Sequence, residues 1–228
     1  MRNGVVHITS RNKIREVICL VRKTPTKRDS NVQETAIGVF RRNGGMMKMS
    51  AAVAAGVHRR TLYAMRDAGV LEQLSRGLYR LADAKPLAYP DLVAVQKRVP
   101  RGVVCLVSAL SFHDLTTQIP HEVYLAVPRD SEPPRIDYPP VRIFRFGRRT
   151  YAEGIESHGL DGVVARVYSR EKTLADSFQY RNVVGLDTAL EALKRYKQQG
   201  RMSVETILRY ARICRVERIM RPYLEAIL

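Results

Sequence analysis

The sequence predicts an α+β chain in two units, and three observations predict it. Apolar residues at helical spacing lie on both sides of Gly56, and a strand-turn-strand pattern follows Gly69. Further on, β-branched and aromatic runs precede three segments of helical period. The chain has 228 residues, 45% of them hydrophobic, which is enough for a packed core and excludes disorder over most of the length.

Residues 1–30 form the first zone, with eight Lys/Arg against two acidic residues and little periodicity. The polar run Thr24 to Asn31 contains Pro25 and reads as a linker. The zone is expected to be either a flexible basic arm or an extension from an upstream start codon. Val32 to Arg42 then sets Ala36, Ile37, Val39 and Phe40 on one helical stripe, and Asn43, Gly44 and Gly45 end that helix. Ser50 is an expected N-cap for a short Ala-rich helix, which Gly56 terminates by taking a left-handed conformation. A second helix starts near His58 and stops at Gly69. Its wheel groups His58, Leu62 and Met65 on one side and Arg59, Arg60, Tyr63, Ala64 and Asp67 on the other. Val70 to Leu74 and Leu78 to Leu81 read as two strands joined by a turn at Gly77.

This order is that of a winged helix-turn-helix unit, expected over 31–85, in which one face of the second helix packs and the other enters a major groove. Arg59, Arg60, Thr61 and Tyr63 are the expected groove residues. Arg66 and the wing-tip Arg76 are expected at the sugar-phosphate backbone. The same elements also suit a nonspecific nucleic-acid- or toxin-binding adaptor whose winged unit is a protein interface, and that alternative stays open here.

Pro86 and Pro90 mark a boundary, so 86–228 is expected to be a mixed α+β unit ending in helices. Asp91 to Val99 is a helix candidate, and strands are expected at 103–107, 123–127, 141–146 and 163–168. Helices should follow on Leu186, Ala189, Leu190 and Leu193, on Val204, Ile207, Leu208 and Ala211, and on Val216, Ile219, Met220 and Tyr223. Asp187 and Ser203 are the expected caps of the first two. Arg142, Arg145, Arg148 and Arg149 form a second basic cluster, read either as backbone or partner contacts or as charge protecting an edge strand.

The formal charge of +17 favours polyanionic partners, nucleic acid before an anionic membrane. The strongly apolar runs are too short for a bilayer span, and no signal peptide is legible, so a cytoplasmic protein is expected. Cys19, Cys105 and Cys214 are odd in number and never in a CxxC pair, which argues against a disulfide framework or zinc cage and for buried thiols. No HExxH, GxSxG, GxxxxGK[ST] or GxGxxG pattern occurs, and no cofactor, metal or catalytic residue is expected. A nuclease is the remaining enzymatic alternative. Its Asp and Glu-x-Lys requirement meets only Asp83-Ala84-Lys85 and Glu171-Lys172, neither with the right context.

The stretch GVHRRTLYAMRDAGVLEQLSRGLYRL, residues 56–81, resembles the winged domain of the AbiEi family, the antitoxin half of type IV toxin-antitoxin and phage-defence systems. Gly56, Val57, Arg59 and Arg60 match the opening of its helix, and Arg76, Gly77, Leu78, Tyr79 and Arg80 match its wing. His58 departs from the usual Ser or Thr and is expected to be a poorer cap. LVSALSFHDLTTQIPHEVYLAVP (106–128) and VYSREKTLADSFQYR (167–181) are similar to later segments of the family. The resemblance implies an autorepressor that binds inverted repeats in double-stranded DNA at its own promoter. It also implies a second domain that counteracts a nucleotidyltransferase-like toxin without needing a stable complex. Dimerisation on DNA is left open.

Overall fold

The computed structural model describes residues 27–84, 87–200 and 202–228. The first elements are α1 (Lys27–Arg42), β1 (Met46–Lys48), α2 (Met49–Ala54), α3 (Arg59–Asp67), β2 (Leu71–Ser75) and β3 (Leu78–Leu81). The strands form an antiparallel sheet in the order β1-β3-β2, with Met46 opposite Arg80 and Leu71 opposite Leu81. Ala36, Val39 and Phe40 of α1 pack with Leu62 and Met65 of α3 and with Leu71, Tyr79 and Leu81 of the sheet. Burying an apolar stripe of this kind contributes roughly 1.5–3 kcal/mol per large side chain. Gly44 and Gly45 take φ of 74° and 77° after α1, and Gly77 takes 75° in the wing turn, conformations that residues with a Cβ adopt at a cost.

Several local expectations are corrected. Helix α1 begins at Lys27, so residues 27–31, which read as linker, are helical; the rest of the basic N-terminal zone, with Cys19, lies outside the described residues. Helix α2 starts at Met49 with Lys48 as N-cap and no side-chain bond, which puts Ser50 inside the helix. Strand β1 has no counterpart in the sequence reading, because three residues after two glycines carry no legible alternation. His58 is exposed and does not join Leu62 and Met65, since its backbone is extended (φ −70°, ψ 143°) and the helical wheel does not apply to it. It caps α3 nonetheless, with Nδ1 accepting a 3.2 Å hydrogen bond from the Arg60 backbone N–H.

The second group comprises α4 (Pro90–Arg98), β4 (Val103–Val104), α5 (Leu106–Phe112), β5 (Val123–Pro128), β6 (Val141–Phe146), α6 (Arg148–Ala152), β7 (Ile155–Leu160) and β8 (Val163–Tyr168). Helices α7 (Arg170–Gln179), α8 (Arg181–Val184), α9 (Leu186–Gln198), α10 (Val204–Ile213) and α11 (Glu217–Ile227) follow. The sheet order is β6-β5-β4-β8-β7, parallel at β5–β6 and β4–β8 and antiparallel elsewhere. One face carries α4 through Leu92 and Val95, against Val104, Leu125 and Val167. The other face carries the C-terminal helices, where Leu174, Phe178, Leu193, Ile207 and Met220 meet Val103, Phe144, Phe146 and Tyr168.

The strand expected at 103–107 is two residues long, and α5 takes the rest, because a short buried apolar run does not distinguish strand from helix. The unit ends in helices as expected, and α5 and α6 also lie between its strands. Ser203 caps α10, accepting from the Thr206 N–H, but α9 is entered through Gly185 at φ 92°, with Asp187 in its first turn.

Helix α4 is buried on two sides. Its Val93 and Ala94 close a further cluster with Met46, Leu78 and Val163, so this helix joins the winged sheet to the larger one.

The buried titratable groups are structural. Cys105 and Cys214 are both buried, and burial pushes both thiols up, away from reactivity. His113 sits at the end of α5, buried, with Nε2 donating to the Tyr168 carbonyl at 2.7 Å, and burial lowers its pKa. A lowered pKa means that the unfolded chain takes up a proton at higher pH than the folded one does. Stability from this group is therefore complete above about pH 6.5, the unfolded value, and is lost as pH falls towards the folded value. The thermal midpoint is expected to drop between pH 7.5 and 5.5, and His113→Gln should flatten that dependence; an unchanged dependence in the variant would assign it to other groups.

Candidate nucleic-acid interface

Helix α3 presents its polar face outward because Leu62 and Met65, three residues apart, are the positions that pack. Arg59, Arg60 and Tyr63 are exposed, Tyr63 at 42%, and Thr61 is half-buried. The Arg66 guanidinium is held by Asp67, at 2.9 Å through Nε and 2.7 Å through Nη2, and lies 5.3 Å over the Tyr63 ring. The Asp67 carboxylate raises the Arg66 pKa. Arg59 and Arg60 have no ion-pair partner among the described residues, so both guanidiniums are available to an external acceptor.

The wing supplies one further cation. Gly77 makes the turn, Leu78 and Tyr79 face inward, and Arg80 is also buried, donating to Glu72 and to the Ala84 carbonyl. Arg76 alone of that run stands out, with its side chain 83% exposed and 3.6 Å from Asp137. Its carbonyl accepts a 2.6 Å hydrogen bond from Arg98 of α4, which ties the wing tip to the second unit.

The structure separates residues that the sequence reading grouped. Arg59 and Arg76 line a common cavity of about 480 Å³, whereas Thr61 and His58 line a groove on the other side of α3, against α1. Lys48, Lys97 and Arg98 also line the first cavity and were not anticipated. Lys97 and Arg98 were legible as cations in the last turn of α4, but not which face of the winged unit that turn would meet. Arg142 and Arg145 lie on β6, an edge strand, where the period-two alternation sends them to opposite faces of the sheet. Arg142 stacks over Tyr124 and Phe144 at 5.7 Å and sits 3.7 Å from Glu122, while Arg148 and Arg149 are exposed on α6. These four arginines do not form one surface.

No group of three or more His, Cys, Asp or Glu that could hold a metal occurs among the described residues. Of the residues weighed for nuclease chemistry, Asp83 pairs with Arg41 at 2.9 Å and Lys172 is fully buried against Asp176. Among the described residues, no helix is long and apolar enough to cross a membrane.

Residues 38–82, from the middle of α1 to the end of the wing, match the family model described as "Transcriptional regulator, AbiEi antitoxin". Over residues 38–82 the chain is similar to AbiEi antitoxin regulators. The AbiEi match contains Arg59, Arg60, Tyr63, Arg66 and Arg76, all on the outward side of the helix or wing. It stops short of α4, so the cations of Lys97 and Arg98 lie beyond the matched residues. The fold of the whole chain is similar to that of the RV2827C protein from Mycobacterium tuberculosis, with a TM-score of 0.59 at 12% identity, over 86% of this chain and 81% of that one. No curated protein matches the sequence.

Proposed function

We propose that this chain is a DNA-binding autorepressor and antitoxin of a type IV toxin-antitoxin system. In this reading it binds inverted repeats in its own promoter and counteracts a nucleotidyltransferase-like toxin. The observation that carries the DNA-binding part is the outward face of α3, where Arg59, Arg60 and Tyr63 stand exposed, beside a wing that projects Arg76. The regulator family matched over residues 38–82 supports the same reading.

Each side chain has a role set by its surroundings. Arg60, without an ion-pair partner among the described residues and near the start of α3, offers the planar fork that matches guanine O6 and N7. Arg59 lies on the wing side and serves a base edge or the adjacent phosphate. Tyr63 offers a ring and a hydroxyl, and Thr61 a hydroxyl towards the α1 side. Arg66, already engaged by Asp67, and Arg76 are backbone contacts. Two copies on the two arms of an inverted repeat would give dimerisation on DNA.

The test is a reporter driven by the region upstream of the gene. Repression by the wild-type chain, abolished by Arg59→Ala with Arg60→Ala, is expected. Repression that survives the double substitution would contradict the assignment of α3, and no repression by the wild type would contradict the autorepressor.

A further inference from the structure

We propose that the cavity bordered by α3, the wing turn and the end of α4 is a subsite for a phosphate group. Its position beside α3 makes a backbone phosphate of bound duplex the ligand. The proposal rests on the DNA-binding reading above and extends it, because it makes the second unit a direct participant in the grip.

Three observations carry it. The first is charge: Lys48, Arg59, Arg76, Lys97 and Arg98 all line this one cavity, and no acidic residue lines it. The second is availability. The side chains of Lys48, Arg59 and Lys97 have no ion-pair or hydrogen-bond partner among the described residues, so in the free protein these three cations line the cavity without a counter-charge, while Arg76 lies 3.6 Å from Asp137. Arg98 reaches the same place while its Nη1 donates to the Arg76 carbonyl, which leaves its other N–H groups to point elsewhere.

The third observation is a hydroxyl. Ser75 also lines the cavity, is 4% exposed, and its Oγ is the one buried side-chain polar atom with no hydrogen-bond partner among the described residues. A buried hydroxyl without a partner costs stability, and small apolar residues would fill the same place without that cost. A phosphate oxygen is the acceptor it lacks. Cations for the charge and a hydroxyl donor for one oxygen are the recurrent means of holding a phosphate. The site cannot be complete without α4, because Lys97 and Arg98 come from beyond the wing.

The experiment uses the full chain and two single variants, Lys97→Ala and Ser75→Ala, with a duplex of the upstream region and a scrambled duplex across a salt series. A thermal-shift titration with inorganic pyrophosphate runs alongside. Lys97→Ala is expected to reduce the slope of log affinity against log salt by about 0.9 on both duplexes, with the ratio between them unchanged. Ser75→Ala is expected to keep or raise the thermal midpoint and yet weaken both duplexes several-fold. A mere packing defect would raise the midpoint and leave binding alone.

Pyrophosphate separates the sources. If it raises the midpoint of the wild type but not of Lys97→Ala, while Lys97→Ala leaves the salt slopes on both duplexes unchanged, the subsite serves a free phosphorylated ligand and its assignment to the duplex is overturned. Unchanged slopes together with no pyrophosphate effect overturn the subsite altogether, even where the wild type prefers its upstream region. A changed slope with no preference for that region would instead leave the subsite standing and remove the operator.

Discussion

Replacing Lys172 with Met is expected to destabilise the chain by about 3–5 kcal/mol, the cost of leaving a buried charge without its partner. The Lys172 ammonium lies 2.5 and 2.6 Å from the two oxygens of Asp176, and both side chains are fully buried on α7. It also sits 4.4 Å over the Tyr168 ring and 5.0 Å over that of Phe146, while the Cys214 thiol donates to Asp176 at 3.3 Å. Removing the cation leaves a carboxylate among rings and aliphatic chains. That loss is a large share of the stability of an ordinary domain. The paired replacement, Lys172→Met with Asp176→Leu, should recover most of it, because a buried ion pair and an apolar pair of like volume are close in energy. Urea denaturation followed by circular dichroism measures both. A single variant within about 1 kcal/mol of wild type would mean that Asp176 finds water or another donor.

The second large effect is expected at Arg60. Arg60→Ala should remove about 1–3 kcal/mol of discrimination between the upstream duplex and a scrambled one, roughly 5- to 150-fold. Arg60→Lys should not restore it, because an ammonium has no planar fork. Arg66→Ala offers the contrast: its guanidinium is already satisfied by Asp67 and Tyr63, so its loss should weaken both duplexes alike. Equal losses for Arg60 and Arg66 would place Arg60 on the backbone and favour the adaptor, whose winged unit reads no sequence.

The winged unit was legible because its signals are local. Gly44, Gly45, Gly56, Gly69 and Gly77 all take positive φ at the breaks where the sequence places turns, and Leu62 and Met65 mark the inner side of α3 by their spacing alone. His58 shows where local reading stops. A wheel assumes helical backbone, and the cap residue has none. In the larger unit the buried runs defeated periodicity: Val103 to Val107 is apolar throughout, and only the packing of α5 on α7 decides that it bends out of the sheet after two residues. Lys172 and Asp176 lie within the stretch 167–181 already noted in the sequence, but their spacing of four residues suits an exposed pair on a helix equally well, and burial alone makes them structural. The basic cavity was invisible for a related reason. Lys48 and Lys97 are far apart in sequence, and they meet only because Val93 and Ala94 seat α4 on Met46 and Leu78.

A gel-shift titration of the purified chain tests the central claim most directly, with its own upstream region and a scrambled control at roughly 50 and 200 mM salt. Tight binding that prefers the upstream region and weakens steeply with salt is the predicted result, with the preference lost in Arg60→Ala. Equal, weak binding to both duplexes would contradict it: the exposed arginines of α3 would then contribute only charge, and the chain would not recognise an operator.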